Sequence, residues 1–87
     1  MNKFLIVSFK SRNDIYAFEN ILKQNYIFCS IINTPKNIGS SCTLSIKTNY
    51  NVLNQITILL KKSNLKSFLG LYSLTQNEFG NQISKLI

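Results

Sequence analysis

The chain has 87 residues, 45% of them hydrophobic, and a net charge of +7 from ten Lys and Arg against three acids. That length makes one domain with a thin core, burying about 60–65% of the surface the unfolded chain exposes. The composition argues against disorder, and the absence of His excludes a Ser-His or Cys-His nucleophile pair.

The first element is the apolar run Phe4–Phe9, within residues 3–9. It imitates a signal peptide, but it is shorter than the roughly 7–15 residues of such a segment and no small-residue cleavage site follows, so it reads as a strand. No run approaches the roughly 18–20 apolar residues of a membrane span. A cytoplasmic location is expected.

Ser11 can cap a helix, with Asp14 in its first turn. Ile15, Phe18, Ile21 and Leu22 recur at helical spacing through Lys23, and Asn25 closes the element. Tyr26 to Ile32, "YIFCSII", is aromatic and β-branched, which predicts a second strand. "NTPKNIGSSCT" is a loop with the only Pro, one of three Gly and one of two Cys. Cys42 to Thr48 alternates, with Cys42, Leu44 and Ile46 on one side, as a half-exposed third strand does.

Asn49 or Asn51 can cap a second helix with Val52, Leu53, Ile56, Leu59 and Leu60 as its stripe. Lys61 and Lys62 suit its negative end. Leu65 to Leu74 is the fourth strand, with Gly70 marking a bulge or a close approach. The pattern gives an α+β, ferredoxin-like βαββαβ sandwich: a four-stranded antiparallel sheet, order 4-1-3-2, with two helices on one face. Residues 1–75 form this domain. Residues 76–87 are an extension in which Phe79, Ile83, Leu86 and Ile87 fall at helical spacing. It is expected to be a short helix that covers the open sheet face or joins a partner.

In this topology the third strand starts where the first ends and the first helix begins. Cys42 is therefore expected near Lys10, Ser11 and Arg12, under a positive helix end that lowers a thiol pKa. Gly39, Ser40 and Ser41 offer backbone N–H groups and hydroxyls for an anion, with Lys36, Lys10 and Arg12 as neighbouring cations. The same residues also fit an ordinary hairpin loop in which Cys42 is a small buried hydrophobe. Cys29, mid-strand and facing about Ile46, reads as structural. The two thiols are then about 13 Å apart at about 3.3 Å per residue, too far for a disulfide.

Two Cys without His make a metal site unsupported, and no cofactor is expected. Nine of the ten cations are Lys and they are scattered along the chain, so nucleic acid is an unlikely partner from charge alone. With three carboxylates, Asp14, Glu19 and Glu78, acid-base enzymology is disfavoured.

At the loop the chain resembles a family. "NTPKNIGSSCTLSIK" is similar to the segment Thr-Pro-Arg, x, Ile, Ser-x-Ser-Cys-Gly of the small sulfur/selenium carrier-like proteins, and "FLGLY" is similar to a Gly-x-Tyr near that family's end. Thr34, Pro35, Ile38, Ser41 and Cys42 match. Lys36 replaces the Arg, keeping charge without the bidentate fork, and Thr43 replaces the Gly after the cysteine. The likeness covers about residues 3–75. It implies a carrier rather than an enzyme, with Cys42 as the acceptor thiol and with sulfur or selenium donor and acceptor proteins as partners. The alternative is a non-catalytic module that binds a small anion or a protein and in which Cys42 is structural. A thin core and an apolar tail are compatible with a homodimer.

Overall fold

A computed structural model describes residues 2–35 and 44–87. Its elements in order are β1 (Asn2–Phe9), α1 (Arg12–Gln24), β2 (Cys29–Asn33), β3 (Leu44–Asn49), a 3₁₀ turn (Tyr50–Val52), α2 (Leu53–Ser63), β4 (Phe68–Asn77) and β5 (Gly80–Lys85). The sheet order is β2-β3-β1-β4-β5, and every pairing is antiparallel. The expected order of the first four strands is present. Among the described residues, however, the sheet has five strands rather than four. The expected helix in the extension is instead β5, hairpinned to β4 from Tyr72↔Lys85 to Asn77↔Gly80.

The reason lies in the turn. Gly80 takes φ +118°, open to glycine alone, and Asn77 Oδ1 accepts the Phe79 N–H at 2.8 Å. This local bond and the positive φ favour a chain reversal here over a helix. Beyond β5, Leu71 exchanges backbone hydrogen bonds with Leu86 and Ile87.

Period-two alternation divides the sheet into two faces. Leu5, Val7 and Phe9 of β1, Ile46 of β3 and Leu71 of β4 form one buried cluster with Ile15, Phe18 and Leu22 of α1 and Ile56 of α2. Both helices therefore cover the same face. The rings of Phe9 and Phe18 lie 5.5 Å apart and tilted, within the range of favourable aromatic pairing. Phe4, Ile6 and Ser8 alternate onto the helix-free face.

β2 begins at Cys29, not Tyr26. The chain leaves α1 through a left-handed residue, Tyr26, with φ 59°. The Tyr26 N–H donates to the Lys23 carbonyl and the Ile27 N–H to the Leu22 carbonyl. This is the double hydrogen bond of a Schellman ending. Ile27 is spent filling the core beside Leu22, so neither residue is available to a strand ladder. β4 likewise starts at Phe68 and carries a register shift opposite Ser8 and Phe9, which pair with Gly70 and Phe68. Gly70 thus marks both a bulge and a close approach: a Cβ there would lie 2.9 Å from the Tyr72 ring.

Among the described residues no helix is long and apolar enough to cross a membrane.

Candidate functional site

The segment that carries Cys42, with Lys36, Gly39, Ser40 and Ser41, lies outside the described residues. Its two roots are described. On one side β2 ends at Asn33, followed by Thr34 and Pro35. On the other β3 begins at Leu44, and Asn33 pairs with Leu44 across the ladder. The register differs from expectation by two residues, since Cys29 opposes Thr48 rather than Ile46. An even shift keeps every side chain on its face. Cys29 and Ile31 still pack toward the helices.

A chain of three hydroxyls ties these roots to the centre of the sheet. Ser8 and Ser45, both fully buried, stand 2.9 Å apart (Oγ to Oγ), and Thr34 Oγ1 lies 2.7 Å from Ser45 Oγ. β1, the first residue pair of β3 and the exit of β2 are thereby linked. Each of the three hydroxyls has a partner in this chain, and leaving a buried one without a partner would cost about 1–3 kcal/mol.

The start of α1 stands at the same end of the sheet. Its first residues are exposed at Lys10 and Arg12. Ser11 holds the N-cap position without a side-chain cap bond. Its N–H donates instead to Ser67 Oγ at 3.1 Å, and the Lys10 N–H donates to the Ser67 carbonyl at 2.8 Å. Ser67 in turn donates its N–H and its hydroxyl to the Asp14 carboxylate. This helix end is thus not a bare positive pole. A carboxylate occupies its first turn, bonded toward β4, while β3 lies on the other side of β1.

Cys29 is a free thiol at the outer strand of the sheet. Burial pushes its pKa up, Glu19 pushes it further, and Lys23 offsets part of this. Lys23 and Glu19 also pair with each other at 3.7 Å on one face of α1. A thiol held protonated in this way is a poor nucleophile. The sequence reads Cys29 as structural from a mid-strand place, whereas the structure puts it at the first residue of β2. The hydroxyl chain was not foreseen: Ser8, Thr34 and Ser45 become neighbours only through strand register, and no local pattern marks them.

Searches of curated proteins and of solved structures return no match to this chain. A family model does match, over residues 4–72, which runs from β1 into β4 and includes the whole loop. The chain belongs to the family described as "Putative Se/S carrier protein-like".

Proposed function

We propose that the protein is a thiol-based sulfur or selenium carrier and that Cys42 is its acceptor. The observation that carries this reading is the family match, which spans Cys42 and covers the core of the fold. The cysteine inventory supports the choice of thiol. The chain has two, and Cys29 faces the helix layer with its pKa raised by burial.

In loading, the Cys42 thiolate attacks the outer sulfur of a persulfide donor, R–S–SH. A new S–S bond forms, the donor's S–S bond breaks, and R–S⁻ leaves with the electron pair and takes up a proton. Cys42 is left as a persulfide. In delivery, an acceptor thiolate attacks that outer sulfur and the Cys42 thiolate departs. Neither step needs an external oxidant. A selenium analogue of the donor follows the same course.

Lys36, Lys10 and Arg12 would favour the anionic adduct, and Gly39, Ser40 and Ser41 would offer it backbone donors. The partners of this chemistry are a donor protein and an acceptor protein.

The test is intact mass after exposure to a persulfide donor and to its selenium analogue. The parent chain is expected to gain one chalcogen atom, reversible by a small thiol. The Cys42→Ser variant is expected to gain none. Equal gain by both proteins would remove Cys42 from the role.

A further inference from the structure

The sheet face away from the helices gathers features that lie far apart in the sequence. A cleft of about 170 Å³ opens there, lined by Phe4, Phe28, Ser30, Lys47, Thr48 and Asn49. Phe28 is 79% exposed and stands at the wall of this cleft, whereas the still more exposed Phe79 lies away from it in the β4–β5 turn. Lys47 Nζ lies 4.1 Å from the centre of the Phe4 ring, so that ring holds a cation in a fixed place over the sheet. Further along the same face Tyr72 pairs with Lys85 across β4 and β5.

The chain's three carboxylates lie elsewhere. Asp14 and Glu19 belong to α1, on the opposite face, and Glu78 lies in the β4–β5 turn. Among the described residues, the strand positions on the helix-free face therefore carry cations and aromatic rings without an acid. The cleft is smaller than the roughly 300–1,000 Å³ of a small-molecule pocket, so it does not enclose a free ligand. Its volume suits one flat ring at a time, presented by a polymer that continues across the sheet.

We propose that this face binds single-stranded nucleic acid. Phe28 supplies the stacking surface for a base, Lys47 contacts a phosphate, and Phe4 acts on Lys47 by holding its ammonium in place. Ser30 and Asn49 stand at the cleft wall with hydrogen-bonding groups for a base edge. The physical basis is general. Any base has a π-face, and stacking on an exposed aromatic ring adds to phosphate attraction without demanding a sequence. Net charge +7 supplies the long-range attraction. The scattered lysines of the sequence become a site only because the sheet register places Lys47 beside Phe4 and β2 brings Phe28 alongside.

The experiment measures binding of the full chain to a dye-labelled oligouridylate of about 10 nucleotides by fluorescence anisotropy, between about 50 and 200 mM salt. A duplex RNA of equal length and a polyglutamate peptide are compared. The single strand is expected to bind more tightly than either. Phe28→Ala, at an exposed position, is expected to weaken single-strand binding by about 5- to 100-fold at every salt concentration, with the salt slope unchanged. Lys47→Gln is expected to weaken binding and to reduce the slope of log affinity against log salt by about 0.7. Lys61→Gln, on the helix side, is expected to retain the affinity of the parent for the single strand much more closely than Lys47→Gln. Parent-like binding by Phe28→Ala would overturn the proposal. So would equal affinity for the duplex, which would mark the attraction as charge alone, or equal affinity for polyglutamate, which would indicate an acidic protein partner. Absence of single-strand binding at the lowest salt would overturn it as well.

Discussion

Thr34 Oγ1 and Ser45 Oγ stand 2.7 Å apart, across the mouth of the loop that carries Cys42. Behind them Ser45 is bonded to Ser8 at 2.9 Å on the central strand. The loop's exit and return are thus joined to each other and to β1 by side chains as well as by the backbone ladder. Ser45→Ala removes the middle of this chain and takes from the buried Ser8 hydroxyl its partner. A loss of about 1–3 kcal/mol is expected, seen as a drop of roughly 4–8 °C in Tm per kcal/mol for a domain of this size. Ser8→Ala in the Ser45→Ala background removes the orphaned group, so the double variant is expected to lose less than the sum of the single losses. Strict additivity in urea or thermal unfolding would contradict a direct bond between the two hydroxyls.

Tyr26 takes the left-handed conformation at the end of α1 with its side chain almost wholly exposed. A non-Gly residue there costs about 1–3 kcal/mol, and the side chain recovers little by packing. Tyr26→Gly is expected to stabilise the protein by roughly 1 kcal/mol, because glycine is at ease in this region but raises the entropy of the unfolded chain. A urea midpoint moved to higher concentration with an unchanged m-value confirms it. A lower midpoint contradicts it. At the corresponding end of α2 the residue is Asn64, φ 51°, a type that tolerates the conformation, and the same change is expected to matter less.

Gly70 lies beneath the Tyr72 ring, with 2.9 Å between that ring and any added Cβ. Gly70→Ala is expected to displace the ring and to cost about 1–3 kcal/mol by overpacking. In a Tyr72→Ala background the same substitution is expected to be close to neutral or mildly stabilising. Equal effects in the two backgrounds would show that the ring does not set the requirement for glycine.

Cys29 has its thiol pKa raised, first by burial and then by Glu19. The folded state therefore binds this proton more tightly than the unfolded state does. The stabilisation is complete below the ordinary thiol pKa of about 8.5, and it fades as pH rises from there through the higher folded value. In a Cys42→Ser background, iodoacetamide is expected to label Cys29 slowly at neutral pH and faster as pH rises. Glu19→Gln removes one of the two upward pushes, so labelling at a fixed, mildly alkaline pH is expected to quicken. Unchanged labelling in Glu19→Gln would leave burial as the sole cause.

The central frame was legible in the sequence because it rests on strong periodic signals. The run Phe4–Phe9, the spacing of Ile15, Phe18 and Leu22, and the alternation of Leu44 and Ile46 each identify one element and its inward side. From those elements the strand order follows by the handedness of crossovers. The failures have local causes. Phe79, Ile83, Leu86 and Ile87 imitate a helix, but the hydrogen bond from the Phe79 N–H to Asn77 and the positive φ of Gly80 impose a hairpin. β5 itself is mostly polar because it is an outer strand with little to bury. Tyr26 and Ile27 have strand-forming side chains, yet the ending of α1 claims their backbone. The bonds from Ser67 to Asp14 and the hydroxyl chain at Ser45 join residues 53 and up to 37 positions apart, distances at which only register brings groups together.

The carrier account is tested most directly by locating the transferred atom. The parent chain is treated with a persulfide donor, alkylated, digested and analysed by peptide mass spectrometry. The account predicts one added sulfur on the peptide containing Cys42 and none on the peptide containing Cys29. Sulfur divided between the two peptides, or confined to that of Cys29, would contradict it.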